Sequence, residues 1–232
     1  MERDYYISVA MATYNGEKYV RDQIDSILKE LKSYDELIIS DDGSIDDTVK
    51  IIKNIGDPRI KLIKGPRMGV KQNFANAIKN CTGKYIFLAD QDDIWLDGKV
   101  ERVLSKFNDK VTCVLHDAKI VDEKLNIIND SFFGFRKSKL GKINNIVKNS
   151  YIGCCMAFSK ELKPFILPIP DDIEMHDQWI GLLSEKYGKS VLLNEPLILY
   201  RRHGKNTSSF KHYGILKMFN NRNKFVRRLN SR

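Results

Sequence analysis

The first hundred residues alternate short apolar runs with helical periodicity, and this alternation restricts the fold more than any other feature. Residues 6–11 (YISVAM), 36–40 (ELIIS) and 85–89 (YIFLA) are apolar runs of strand length, and 59–64 (RIKLIK) alternates like a strand. Between them lie helical patterns. Residues 19–31 place Val20, Ile24, Ile27, Leu28 and Leu31 at helical spacing. Residues 46–55 carry Val49, Ile52 and Ile55 on one face and end at Gly56 and Pro58. Residues 70–80 are helical with Phe74, Ala77 and Ile78 apolar, and 97–107 are helical again. Strand and helix in strict alternation predict an α/β fold with a mostly parallel, doubly wound sheet.

The regularity stops near residue 110. Residues 111–116 predict a strand, 120–128 a short hairpin, 151–159 a strand, 178–187 a helix, and 191–194 and 197–202 two short strands. Residues 130–142 are polar with Phe132, Phe133 and Phe135 embedded, the pattern of a mobile loop or a docking segment. The expected organisation is a ligand-binding half over 1–110, a second half of the same domain over 111–210, and a tail over 211–232.

The chain has 232 residues, 42% hydrophobic and 30% charged, which suits a folded domain and excludes a disordered or collagen-like one. No apolar run approaches the roughly 18 residues of a membrane span. The opening MERDYY has no positive region and no cleavage site, so no signal peptide is expected. Cys81, Cys113, Cys154 and Cys155 show no C-x-x-C spacing, which predicts reduced thiols and a cytoplasmic setting. The net charge of +9 is concentrated: residues 201–232 hold ten Lys and Arg and no acid. A basic tail on a near-neutral body argues against nucleic acid as partner. It suits an anionic membrane surface met by the amphipathic segment 213–229, or a helix docked on the domain with a solvated basic face.

Ligands of open α/β sheets bind beyond the carboxyl ends of the strands. Three of these ends are polar: Ala12-Thr13-Tyr14-Asn15-Gly16, Asp41-Asp42-Gly43-Ser44, and Asp90-Gln91-Asp92-Asp93. In the last, an apolar strand delivers three carboxylates within four residues. Such charges repel unless a cation neutralises them, and all-oxygen donors suit Mg²⁺ or Mn²⁺. The competing reading is a solvated turn with a helix cap, and the same applies to Asp41-Asp42-Gly43-Ser44. Tyr14 could stack on a base or be an ordinary half-buried aromatic.

Together these stretches resemble the family 2 glycosyltransferases of GT-A fold. The matching segments are 8–28, 36–48, 69–78 and 83–95, then YIGCCMAF (151–158), MHDQWI (175–180) and LYRRHGKNTS (199–208). The resemblance implies an inverting, metal-dependent transferase that moves a sugar from a nucleoside diphosphate donor, UDP- or dTDP-linked, to a hydroxyl of a surface polysaccharide or lipid-linked glycan. It implies that Ala12, Thr13, Tyr14, Asn15, Asp41, Asp42, Lys71, Asn73, Asp90 and Gln91 hold the nucleotide. Asp92 and His203 match positions at the Mn²⁺ or Mg²⁺ ion. Asp93, Trp95, Gly153, Cys154, His176, Gln178, Trp179 and Arg201 match substrate contacts, and Asp177 takes the place of the base. His176 replaces the commoner Glu before that Asp, a variation associated with deoxysugar donors such as dTDP-rhamnose.

Each late residue also has an ordinary reading. Asp177 could cap the helix that follows, His203 could lie on the surface, Trp95 and Trp179 could be packing residues, and Cys154 could be core. Two other functions compete. A sugar-nucleotide pyrophosphorylase wants a Gly-rich, Arg-containing loop after the first strand, and TYNGEKY has one Gly and no Arg. A nucleic-acid binder leaves the acidic strand ends unexplained, because carboxylates repel phosphates.

Overall fold

The computed structural model describes residues 6–204 and 215–232. Residues 205–208 of the last matching segment and 211–214 of the expected tail lie outside the described residues. The first half follows the alternation: β1 (Ile7–Thr13), α1 (Val20–Glu30), β2 (Glu36–Asp41), α2 (Thr48–Ile55), β3 (Ile60–Lys64), α3 (Val70–Asn80) and β4 (Tyr85–Asp90). β3, β2, β1 and β4 lie side by side, all parallel. Right-handed crossovers put α1 and α2 on one face and α3, which returns from the edge, on the other. Every residue of β1 and β2 is buried, whereas edge strand β3 is only half-buried and turns Lys61 and Lys64 to solvent. α2 ends at Gly56, whose φ of 67° is the left-handed conformation that stops a helix.

β1, β2 and β4 run a residue or two beyond their apolar cores, because parallel pairing continues into the polar ends. Thr13 pairs with Asp41, and Ala12 with Asp90. The three polar strand ends therefore stand in one row.

The second half extends the same sheet. β5 (Ile94–Trp95) and α4 (Lys99–Leu104) precede a hairpin of β6 (Val111–Val121) and β7 (Ile127–Asn129). α5 (Phe132–Arg136), α6 (Lys142–Val147), β8 (Met156–Ser159), α7 (Lys163–Ile166), α8 (His176–Tyr187), β9 (Lys189–Arg201) and α9 (Ile215–Asn230) follow. β8 joins the halves, antiparallel to both β4 and β6, and β9 runs parallel to β6. The mixed α/β architecture expected from the sequence is thus present.

Three expectations change. The two short strands of 191–202 are one strand, because β9 absorbs Asn194 and Glu195 as an irregularity between His116↔Leu193 and Asp117↔Pro196. The strand of 151–159 begins as a 3-10 turn, Gly153–Cys155. The 130–142 segment is anchored: Phe132 and Phe133 are buried, and buried Asp117 accepts from Ser131 Oγ at 2.5 Å and from the Phe133 N–H at 2.8 Å. All four cysteines are free and buried. Among the described residues, no helix is long and apolar enough to cross a membrane.

The edge opposite the polar strand ends is closed by Glu36. Its carboxylate accepts from Ser8 Oγ at 2.5 Å, from Thr82 N and Oγ1 at 2.7 Å each, and from Lys61 Nζ at 2.7 Å. Burial pushes this carboxyl up, but hydrogen bonds from Lys61, Ser8 and Thr82 prevail and hold it at about 2. A depressed folded-state value stabilises the fold above the ordinary carboxylate range, and that stability is lost as pH falls toward about 2. Glu36→Gln is expected to cost about 1.5–3 kcal/mol at neutral pH and much less in acid. Urea unfolding at both pH values measures this, and equal losses would contradict it.

Candidate active site

The acidic turn after β4 is shaped by β9. β5 follows the turn directly and pairs antiparallel with β9, Ile94 opposite Leu199. That pairing carries Arg201 and His203 onto the turn. The Arg201 N–H donates to Asp93 Oδ1 at 3.0 Å, and its guanidinium donates to the carbonyls of Asp92 at 2.9 Å and Glu123 at 3.0 Å. His203 Nε2 lies 2.7 Å from Asp92 Oδ2. The Tyr19 ring supports both side chains: the His203 ring stacks on it at 4.9 Å, and the Arg201 guanidinium lies 4.7 Å from its centre. Tyr19 in turn donates to Glu123 Oε1 at 2.5 Å.

The carboxylates are crowded. Burial, then the charges of Asp92 and Asp177, push Asp90 up to about 7. Burial, with Asp92 and Asp90, pushes Asp93 well above its ordinary value, and its Oδ2 is buried without a hydrogen-bond partner. Burial lifts Asp177 to about 6, against hydrogen bonds from the Gln178 and Gly153 backbone and the Asn149 side chain. The nearby buried ammonium belongs to Lys99, which burial lowers to about 8; it donates to the Cys154 carbonyl at 3.2 Å and lies 3.8 Å over the Trp95 ring.

This arrangement fits a hard divalent cation, because burial and the neighbouring carboxylates both disfavour the ionised acids unless a cation offsets their charge. Ligating atoms of Asp90, Asp93 and Cys154 lie within 4.8 Å of one another. That trio is the weaker candidate: a thiol suits a hard cation poorly, the Cys154 thiol is itself pushed up by burial, and Asp93 is committed to Arg201. Asp92 and His203, at the rim of the turn, are the better-placed donors, with Asp90 beside them.

The two nucleotide-side loops are tied to each other and to the sheet. Asp41 accepts from Thr13 Oγ1 at 3.0 Å, Ser44 Oγ at 2.6 Å and the Gly43 and Ser44 N–H groups, so its carboxylate is fixed at the strand end. Asn15, at φ 48°, receives the Ile45 N–H on its side chain. Ala12 is buried, and Tyr14 stands 55% exposed beside them. Several residues expected to touch nucleotide are bonded to protein in this structure. Gln91 bridges the Tyr14 main chain, accepting from its N–H at 2.9 Å and donating to its carbonyl at 3.1 Å. Asp42 accepts from the Arg67 and Gly69 N–H groups. Buried Asn73 donates to the carbonyls of Thr13 and Ser40. Lys71 donates to the carbonyls of Asp171 and Ile173, across to the second half.

In the second half, Asp177 lies in the first turn of α8, whose N-cap is Met175, so it is not the capping residue. Asp177 Oδ1 accepts its neighbour's N–H, from Gln178, at 2.6 Å. His176 is buried, stacks on Phe74 at 4.1 Å, and neither ring nitrogen has a hydrogen-bond partner. A side chain at Gly153 would come within 2.9 Å of His176 Nε2, so the backbone approaches closely there. Gln178 donates to the Asn145 carbonyl at 2.7 Å. Trp95 and Trp179 are 3% and 0% exposed, with Trp179 Nε1 donating to the Ile166 carbonyl. Their faces are covered, which corrects the expectation that they stack on sugar. Cys154 is likewise fully buried beneath the acidic turn.

Tyr19, Glu123, Asn149 and Lys99 were missed in the sequence. Tyr19 opens an apolar helical pattern and reads as core. Lys99 carries a usable signal, since it shares an i, i+4 row with buried Val103.

Fold and site together define an α/β enzyme that gathers carboxylates at the strand ends where such sheets bind their ligands. The Glycosyl transferase family 2 model matches residues 8–164, and the chain belongs to this family. It is a glycosyltransferase. It is 29% identical over 187 residues to the Escherichia coli UDP-Glc:alpha-D-GlcNAc-diphosphoundecaprenol beta-1,3-glucosyltransferase WfgD, covering 78% of this chain and 71% of that one. It is 29% identical to the Escherichia coli chondroitin synthase over 57% of this chain and 20% of that protein. Among solved structures, S. aureus TarS 1-349 in complex with UDP-GlcNAc superposes with a TM-score of 0.74 at 17% identity, over 97% of this chain and 66% of that one. The mannosyltransferase PcManGT from Pyrobaculum calidifontis, in complex with GDP-Man and Mn²⁺, gives 0.67 at 16% identity, over 88% and 59%. The chain thus spans about three fifths to two thirds of these two solved chains.

Gln91→Ala would free the Tyr14 loop while leaving the sheet intact. If the Tyr14 loop holds a nucleotide, two neutral hydrogen bonds at about 1 kcal/mol each imply binding up to roughly thirtyfold weaker. Calorimetric titration of UDP measures this, and unchanged affinity would contradict it.

Proposed function

We propose that the chain transfers a sugar, with inversion, from a UDP- or dTDP-linked donor to a hydroxyl of a surface polysaccharide or lipid-linked glycan, with Asp177 as general base. The observation that carries this is the packing of Asp177, from α8, against Gly153, whose neighbour Cys154 meets Asp90 and Asp93 at the end of β4. Elements far apart in sequence bring a poised carboxylate to the acidic turn, within range to raise Asp90. The resemblance to WfgD, named for a UDP-Glc donor and a diphosphoundecaprenol-linked acceptor, supports the substrate class.

The donor half is residues 1–110 and the acceptor half 111–210. The nucleoside lies along exposed Tyr14 and the fixed Asp41 carboxylate, on loops held by Gln91, Asp42 and Asn73. Asp92 and His203, with Asp90, would hold Mn²⁺ or Mg²⁺, which when bound would offset negative charge on the departing diphosphate. Arg201 and Tyr19 keep that donor set in place.

The acceptor hydroxyl attacks the anomeric carbon on the face opposite the diphosphate. A new carbon–oxygen bond forms as the bond to the diphosphate breaks, and the diphosphate leaves with the electron pair. The hydroxyl proton passes to Asp177. Holding donor and acceptor in line supplies much of the acceleration, and the base adds about 10²–10⁴-fold. His176, buried against Phe74 and held by burial at about 3, stays neutral and seats α8 on α3.

Asp177 works only when ionised, so the rate is expected to fall as pH drops below about 6. Asp177→Asn is expected to lower kcat about 10²–10⁴-fold, to lose that acid limb, and to keep UDP affinity. Steady-state transfer kinetics across pH measure all three. An unchanged kcat would exclude Asp177 as the base.

A further inference from the structure

Two stretches of the chain, 131–160 and 201–232, contain no acidic residue at all. They hold sixteen of the 39 Lys and Arg and none of the 30 Asp and Glu, so the remainder is net acidic. They are distant in sequence, yet the fold packs them together: α6, from the first, contacts α9, from the second. An Arg222 guanidinium nitrogen donates to the Val147 carbonyl at 2.6 Å, fixing the seam.

Apolar side chains face solvent along this seam. Ile143 is 80% exposed, Val147 55% and Val226 40%. Ile143 and Val147 lie one turn apart on the same face of α6, and Val226 lies one turn beyond Arg222 on α9. Exposed Lys142 and Lys148 flank Ile143 and Val147 in sequence.

The other side of α9 is committed to the domain. Phe225 and Leu229 are buried, Arg228 pairs with Asp172 at 3.0 Å, and Lys186 Nζ donates to the Leu229 and Arg232 carbonyls at 2.6 and 2.8 Å. α9 is therefore docked along this half, and what it offers outward is the seam with α6.

We infer that the α6–α9 seam docks on an anionic lipid bilayer, its lysines at the headgroups and Ile143, Val147 and Val226 in the acyl boundary. Basic charge alone would suit nucleic acid equally. Exposed aliphatic side chains set among that charge favour a lipid interface, since they gain free energy only by leaving water. The seam also adjoins the site, because the α6 residue Asn145 accepts from Gln178, next to Asp177. Delivery of a lipid-linked acceptor to Asp177 follows only if that residue is the base, but the lipid contact stands without it.

Flotation of the full chain with phosphatidylcholine vesicles, with and without phosphatidylglycerol, tests this. Binding is expected only with the anionic lipid. Lys142→Gln and Lys148→Gln are each expected to weaken it about fivefold. Ile143→Ser with Val147→Ser should weaken it further at unchanged melting temperature, because both side chains are exposed. The inference is overturned by binding that ignores the α6 variants, by equal binding to both vesicles, or by no binding. It is also overturned by salt-sensitive RNA binding that the lysine variants abolish while flotation persists. Asp177→Asn should float like the parent chain, so failure of the lipid contact and failure of the catalytic reading are distinguishable.

Discussion

Carboxylate crowding at the end of β4 is the constraint on which the rest of this structure depends. Parallel pairing forces Asp90 beside Ala12, and the tight turn forces Asp92 and Asp93 beside Asp90. Asp177 adds a fourth acid from α8. The protein relieves part of this internally. Asp93 is buried against the Arg201 N–H and Asp92 meets His203. What remains is a concentration of negative potential at a ligand-binding edge, which calls for a cation or retained protons.

The relief comes from the far end of the chain, and this explains the shape of the second half. The β6 and β9 ladder is long, and β5 caps it immediately after the acidic turn. β9 thereby delivers Arg201 and His203 to residues more than a hundred positions earlier. Tyr19 and Glu123 complete the frame, so that α1, the β6–β7 hairpin and β9 all bear on Asp92. The halves are consequently coupled through the site itself, and Lys71 ties them a second time at the loop before α8.

Much of the first half was legible in the sequence, because burial writes itself as periodicity. Strands buried on both faces read as apolar runs, and α1 to α3 read as 3.6-residue stripes. The acidic turn was legible because acids directly after an apolar strand have few structural uses. The second half was harder for identifiable reasons. Glu195 and Pro196 read as a break between two strands, yet β9 carries the chain through as an irregularity. Gln91 has the polarity of a ligand contact, but its amide serves the Tyr14 main chain. Trp95 and Trp179 have the chemistry of sugar platforms and the burial of core. Tyr19 looks like core and frames the site. Composition and spacing record what a residue can do, and only the packing shows which partner takes it.

The central claim is that the Asp92 end of this cluster binds a dication together with the nucleotide. The most direct measurement is calorimetric titration of Mn²⁺ into the full chain with and without UDP, repeated with Asp92→Asn. The account predicts Mn²⁺ binding that UDP strengthens and that Asp92→Asn weakens tenfold or more, roughly the loss of one charged hydrogen-bonding group. Equal Mn²⁺ affinity in the two proteins, or none in the presence of UDP, would contradict it.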